Sequence, residues 1–558
     1  MLGGAALLLT GACACGGSPD GVMDLGGDAD AAQVADAIAD GDAGVEMDAA
    51  PDAGPDSGPD ASGDVGPDAD ASPLWVIERP QVGEPLSAQE VHDFTLRVTG
   101  MWKKSGYFRW LHLTSHGLDA SNPQGQYHYA LWWQDTKASK LGDVVTWTHT
   151  GRADNLTLRT CKVLNNAIAG YLMFGDPDLR WVVEEYSRGL VALSKAMMFG
   201  DADPVPYLQA RAVFSHDHTF ETVGGRKVAV DYGPVRHDEE AWNASIVHNP
   251  DNPTWGDIWL VNQRSKDDVP HMFRTVPALM RVAAEAPDAS VREAATEALE
   301  YLRGFAADIV ASGYQIRTKF ADGVAVVPTQ PDNGAVKDLA SFVLYEIADP
   351  NAECNAKLGS ALVSDGTPHG LDCEQGSGGL YEVIAAEGHY FNYAIIRYFH
   401  LAALANAIAA GQDVMARELM LGLAARADAI LHDPELPHRD DPVWDADAAA
   451  FLLAAGASGL PLTHEEARLV RDQYTLTAEH YEAWPYWDPW ADSVPDGAFP
   501  MQPDRGVAVR PTEIAYLLEY CASPLRSAES APLVDCDIVA DPSRWGGEAS
   551  ELSRPRSR

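Results

Sequence analysis

The sequence predicts an all-α fold made of helical hairpins, and three observations carry that prediction. Apolar residues recur at helical spacing along most of the chain after Leu74. The connection "FGDPDL" (Phe174–Leu179) is short enough to be a sharp corner between two antiparallel helices. Ser/Thr-x-x-Glu pairs stand just ahead of apolar runs, where a capping box satisfies the first free N–H groups of a helix.

The elements follow in order. Val91, Phe94, Val98, Met101 and Trp102 mark a first apolar stripe. Leu156, Thr160, Cys161, Leu164, Ala167, Ile168 and Tyr171 mark a second, with Cys161 expected as a buried thiol. At the corner, Asp176 is the expected N-cap and Pro177 the first helical residue. Leu179, Val182, Val183, Tyr186, Leu190 and Leu193 form the return helix. Ser265 and Asp268 have capping-box spacing, and so do Ser290/Glu293, whose helix should run to Gly313, and Thr463/Glu466. Further helices are expected over about 335–348, 387–410, 413–431, 443–454 and 511–522. Strand-like pieces are few: "RKVAVDYG" and "GVAVVP".

Charge and composition bound the function. The 558-residue chain carries a formal net charge of -42, which excludes nucleic acid as a natural partner. Residues 1–74 hold 15 acidic groups and no Lys or Arg, so the remainder has 67 acids against 40 bases. Residues 14–74 repeat Pro-Asp-small-small units with no apolar face, as in "PDAGPDSGPDASGDVGPDADASP". That composition predicts an extended, disordered tether. Ahead of it, Ala5–Leu9 leads into Thr10-Gly11-Ala12-Cys13, which resembles the lipobox of bacterial lipoproteins. The resemblance implies a signal segment at 1–13, with a start upstream of Met1, and a lipid on Cys13. Neither Ala14 nor Gly16 is the Asp of an inner-membrane retention signal, so an outer-membrane or cell-surface position is expected. Export fits loop-closing disulfides for Cys354/Cys373 and Cys521/Cys536, with other pairings open.

A run of hairpins must bury each inner helix on two sides. No sequence repeat marks a solenoid, so residues 75–525 are expected to close into a ring. A C-terminal extension, 526–558, should be poorly ordered at its end. The layout over most of residues 88–525 resembles the (α/α)-toroid, or six-hairpin glycosidase-like, architecture, with minor β-strand loops. "WLVNQRSKDDVPHMFRTVPALMRVA" is similar to the Ser-Lys/Arg-Asp-Asp/Gln helix entrance of several toroid families. The resemblance implies carbohydrate processing, although fold alone does not set activity.

Candidate chemistry lies in several places. In "EGHYFNYAIIRYFHLAALANAIAAG", His389, Asn392, Tyr393, Arg397 and His400 fall on one helical stripe of an otherwise apolar helix. Burying so many polar groups costs free energy unless they are paired or face a wet lumen. Toroidal polysaccharide lyases resemble this stripe, which implies Asn392 and Arg397 as electrophilic groups and Tyr393 or His389 as proton carriers. A satisfied core network is the competing interpretation. A glycosidase needs paired carboxylates instead, and Asp154, Asp238, Glu239, Glu240, Asp257 and Glu387 are the candidates, although each taken singly reads first as a surface acid or helix cap. In "SKDD", Asp268 reads as a helix cap. Asp267 and His271 share the side opposite Val276 and are left facing bulk water or the mouth of the ring.

Nine of the 17 histidines lie between His112 and His271. "FSHDHTF" sets His216 and His218 on one side of an extended segment. With His237 they define a divalent-metal option, while "NPDNPTWGD" reads as a turn-rich loop. Trp132 and Trp133 in "YHYALWWQ", and Trp484, Tyr486, Trp487 and Trp490 in "WPYWDPW", suit stacking on sugar rings or packing back on the fold. There is no phosphate-binding Gly-rich loop, Gly-x-Ser-x-Gly elbow or His-Glu-x-x-His. The leading expectation is a lipid-anchored, exported enzyme that cleaves an extracellular glycan by hydrolysis or β-elimination, with no required cofactor. The alternatives are a non-catalytic surface module that binds glycan or protein, and a His-ligated metalloenzyme.

Overall fold

The computed structural model describes residues 73–114, 132, 136–149, 156–214, 218–221, 227–231, 246–262, 268–312, 316–326, 390–434, 442–500, 509–550 and 552. The described residues are mostly helical. Their helices are α1 (Ala88–Ser105), α2 (Tyr107–Thr114), α3 (Leu156–Phe174), α4 (Pro177–Ala196), α5 (Asp268–Glu285) and α6 (Ala289–Ala311). They continue with α7 (Tyr390–Ala409), α8 (Asp413–His432), α9 (Pro442–Ala457), α10 (His464–Glu482), α11 (Tyr516–Ala522) and α12 (Cys536–Val539). No described helix is long and apolar enough to cross a membrane.

Local chemistry explains where several of these helices start and stop. Ser87 and Glu90 form a capping box at α1, and Gly106 ends that helix in the left-handed region at φ 59°. At the α3–α4 corner Gly175 takes φ 68°, and the Asp176 side chain accepts from the N–H groups of Asp178 and Leu179. Thr463 and Glu466 cap α10 reciprocally. The expected box at Ser290/Glu293 does not form. The N-cap of α6 is Asp288, and Ser290 lies inside the first turn. Its hydroxyl instead donates to Glu184 (3.1 Å) and accepts from Arg180 (2.9 Å) on α4.

Packing follows the apolar faces. α5 packs on α3 and α7; α11 packs on α3 and α9; and α7 also touches α9. Outside these, α4 lies on α3 and α6, α6 on α5, α8 on α7, and α10 on α9 and α1. Helix α3 is buried nearly all round, as an inner helix must be.

Strands are more numerous than the sequence predicts. The largest sheet has the order β10 (Gly497–Pro500), β1 (Thr136–Leu141), β2 (Val144–His149), β5 (Lys227–Asp231), β4 (His218–Glu221). A second runs β3 (Ala212–Phe214), β7 (Gly256–Val261), β6 (Ile246–Asn252), and β8 (Thr318–Lys319) pairs with β9 (Ala325–Val326). Their pairings join distant segments, such as Ala138 with Phe499, which no local pattern announces. The β6–β7 turn is the "NPDNPTWGD" loop, where Asn252 accepts from the N–H groups of Thr254 and Trp255.

The C-terminal extension sets Ala531, Leu533, Ile538, Val539 and Trp545 into the core. A disulfide joins Cys521 to Cys536 across 5.3 Å between Cα atoms. Trp545 packs against Trp102 (5.6 Å), Phe108 (5.7 Å) and Phe174 (5.8 Å). Gly546 lies so close to α1 that a Cβ there would stand 2.3 Å from the Leu96 carbonyl oxygen.

Candidate functional site

A buried cluster of charged and phenolic groups forms where α3, α5, α7, α9, α10 and the segment ahead of α11 meet. Its central pair is Lys162 on α3 and Glu513 on the 509–515 segment, and the Lys162 Nζ donates to Glu513 Oε1. Both side chains are almost wholly excluded from solvent. The second carboxylate oxygen, Glu513 Oε2, is buried and accepts no hydrogen bond from the described residues.

The segment that carries Glu513 departs from expectation. A helix over 511–522 was predicted, but it begins only at Tyr516, and residues 511–515 form turns. Buried non-helical backbone needs hydrogen-bond partners. Here they come from side chains of other helices. Tyr481 donates to the Val509 carbonyl (2.7 Å), Tyr107 to Pro511, Asn166 to Thr512 (3.0 Å) and Tyr474 to Glu513 (2.9 Å). Asn166 and Lys162 are one helical turn apart on α3, so one face of α3 both holds the segment and meets its carboxylate.

On the other side of Lys162 lies Tyr398 of α7. The Lys162 Nζ is 3.4 Å from the phenol oxygen and 4.6 Å from the ring centroid. His271 of α5 packs on the same ring, 4.2 Å between centroids. One turn further along α5, Arg274 pairs with Glu519 and lies over the Tyr516 ring at 5.8 Å. Arg510 approaches Asp447 of α9 at 3.7 Å.

Burial dominates the ionisation of these groups. It lowers the Lys162 ammonium to about 7, against the pull of Glu513 and with help from the positive Arg159 and Arg510. Burial alone would raise the Glu513 carboxyl, but Lys162 and Arg510 outweigh it and hold the pKa below the usual carboxylate range. Burial, then Lys162 and Arg274, keeps the His271 imidazole neutral well below its ordinary pKa. Burial, then Glu513, keeps the Tyr398 phenol protonated far above its ordinary range.

The sequence candidates fall into three groups. Cys13, Trp133, Asp154, His216, His237, Asp238, Glu239, Glu240, Asp267, Cys354, Cys373, Glu387 and His389 lie outside the described residues, as do Ser265 and the 335–348 helix. His218 is in β4, and Asn392 and Tyr393 are in α7. Arg397 and His400 are described and buried within the core: Arg426 of α8 donates to His400 Nδ1 at 2.6 Å, and Arg397 lies over the rings of Trp444 (5.3 Å) and Phe451 (4.9 Å). Their burial is what the core-network interpretation expects of these two residues.

For His271 the sequence leaves bulk water or the mouth of the ring. The side chain is buried, not turned to bulk water, because α5 is packed on α3, α6 and α7, so the side opposite Val276 is interior too. Asp268 is also buried, and its Oδ1 accepts from the Leu158 N–H (3.1 Å) in the first turn of α3. Among the aromatics, Trp132, Trp487 and Trp490 are buried and contribute to the core. Trp484 and Tyr486 stay half-exposed, edge to face at 5.1 Å, with Tyr486 stacked on Phe499 at 4.8 Å. His248 accompanies Asp257 at 2.6 Å on the surface.

Sequence reasoning missed Lys162, Glu513, Tyr398 and Arg274. The available signal was a lysine inside the apolar stripe of α3, in "CKVLNNAIAG". Among the described residues no group of three or more His, Cys, Asp or Glu side chains could hold a metal ion. Compared with known proteins, no protein family, curated protein or solved structure matches the chain.

Proposed function

We propose that the chain is an exported, lipid-anchored (α/α)-toroid enzyme that cleaves an extracellular glycan at the Lys162–Glu513–Tyr398–His271 cluster. The ring reading is supported by the packing circuit α3, α5, α7, α9, α11 and back to α3. Cys13 would carry the lipid, and residues 14–74 would act as the tether.

The observation that carries the reaction is the contact between His271 and Tyr398 beside a buried ion pair. A neutral imidazole can take a proton and a protonated phenol can return one, the two proton transfers that β-elimination uses. Glu513 and Asp447 are the carboxylates that hydrolysis would use instead. Trp484 and Tyr486 are the half-exposed aromatics suited to a sugar platform.

The test is incubation of the full chain with a panel of neutral and uronate polysaccharides. New reducing ends are expected, with ultraviolet absorbance of an unsaturated product if the cleavage is an elimination. Retention of a polysaccharide without any cleavage across the panel would overturn the enzyme reading in favour of a binding module.

A further inference from the structure

We propose that Lys162 is an amine nucleophile that forms an imine with a small aldehyde or ketone, with Glu513 and Tyr398 moving the protons. The proposal does not depend on glycan cleavage. It stands on the position of one buried lysine.

The first argument is incomplete saturation. A buried ammonium that serves only structure is surrounded by acceptors for its three N–H donors. Lys162 has one close acceptor, Glu513 Oε1, and the Tyr398 hydroxyl at 3.4 Å. The remaining carboxylate oxygen, Oε2, is buried and accepts nothing from the described residues. Among the described residues the pair therefore has one N–H donor and one carboxylate oxygen without a partner.

The second argument is the identity of the neighbours. A nucleophilic lysine needs desolvation or a nearby cation to free its lone pair, a base to receive its proton and an acid for the carbonyl oxygen. Desolvation comes from α3, α5, α7 and the 509–515 segment, and it brings the ammonium to about 7. The charged groups around it include Arg159 on its own helix, Arg274 on α5, Arg510 and Glu513 on the segment, and Asp447 on α9. Arg397 on α7 and Glu519 on α11 act on the neighbouring phenols, and the uncharged titratable groups include Tyr398, His271, Tyr474 and Tyr516. Glu513 supplies the base and Tyr398 the acid.

The step balances. The neutral Lys162 Nζ attacks the carbonyl carbon, and the carbonyl oxygen takes a proton from the Tyr398 hydroxyl. The new ammonium gives a proton to Glu513, leaving a neutral carbinolamine. The nitrogen lone pair then expels the hydroxyl, which leaves as water with the proton held on Glu513, and a solvent proton restores the phenol. The product is a protonated imine whose single positive charge again faces the Glu513 carboxylate.

The test uses the full chain with acetaldehyde and cyanoborohydride, followed by peptide mass spectrometry. Reduction traps an imine as an N-ethyl lysine. At neutral pH, labelling of Lys162 should exceed that of the exposed Lys104 and Lys137 by at least about tenfold, the gain in free amine for each unit by which a pKa is lowered. Its rate should rise through about pH 7 and fall in Tyr398→Phe. Labelling of Lys162 no faster than that of the two exposed lysines would overturn the proposal. The comparison is made within one wild-type molecule, so it needs no Lys162 variant to fold.

Discussion

Lys162 and Lys319 are both buried and both pair with a carboxylate, yet their surroundings differ. The Lys319 Nζ donates to the Met197 carbonyl (3.0 Å), the Val205 carbonyl (2.7 Å) and Asp203 Oδ2 (2.5 Å), which uses all three N–H groups. Asp203 in turn accepts from the N–H groups of Phe199 (2.8 Å) and Val205 (2.9 Å). That site is a closed staple holding the loop after α4. At Lys162 the described acceptors are fewer, and one oxygen of its partner has no donor among the described residues. Burial lowers the pKa of both lysines, so desolvation alone does not separate a structural pair from a reactive one. Saturation of hydrogen bonds does.

The largest test of this contrast is activity. If the Lys162 cluster is the site, His271→Gln and Tyr398→Phe should each lower glycan cleavage by about a hundredfold to ten-thousandfold. Lys319→Met should leave turnover per folded molecule unchanged. Initial rates normalised to folded protein decide between these, and equal losses at both places would erase the distinction.

Stability should show the reverse order. Lys319→Met leaves Asp203 buried without its counter-charge and strands two carbonyls, at a cost of about 3–5 kcal/mol. Lys162→Met leaves Glu513 with Arg510 still attracting it, and the expected loss is about 1–3 kcal/mol. Urea midpoints at constant slope measure both. A Lys162 variant that loses more than its Lys319 counterpart would mark the first pair as the tighter staple.

The pH dependence sharpens the reading of His271. Its folded pKa lies well below the ordinary 6.5, while the unfolded imidazole titrates near that value. The unfolded state then binds more protons, so stability present above 6.5 falls as the pH drops below it. The loss should approach about 1.4 kcal/mol per pH unit and be missing in His271→Gln. Parallel urea curves for the two proteins at pH values above and below this range would contradict a buried neutral imidazole.

The smallest effect concerns the segment that presents Glu513. Tyr474→Phe removes one donor to the Glu513 carbonyl and should cost about 1 kcal/mol. Thermal unfolding against wild type tests it. A much larger loss would mean that the segment is built around that single hydroxyl.

Much of the helical framework was legible in the sequence, and little of the site. The α3–α4 corner and the Thr463/Glu466 cap follow from residues that touch within one turn. The Ser290 box failed because Ser290 answers to Arg180 and Glu184, more than a hundred positions away. Trp487 and Trp490 carry the composition of a sugar platform, yet the loop folds back. Trp487 stands 4.9 Å from Trp110 and donates to the Tyr481 carbonyl. Nothing within the loop itself specifies that packing.

The sequence by itself determined an all-α class, several helix starts, the short corner, the Cys521–Cys536 pairing among those foreseen, and the acidic, Pro-Asp-rich character of the first 74 residues. These depend on composition and on contacts between near neighbours, where period and capping chemistry are specific. Only the tertiary structure decided that Lys162 meets Glu513 across 351 positions, that His271 is interior, and that the turns of segment 511–515 are held by tyrosines from two helices. Burial and pairing are properties of which faces come together. A lysine within an apolar stripe carries no sign of its partner until the distant carboxylate is folded against it.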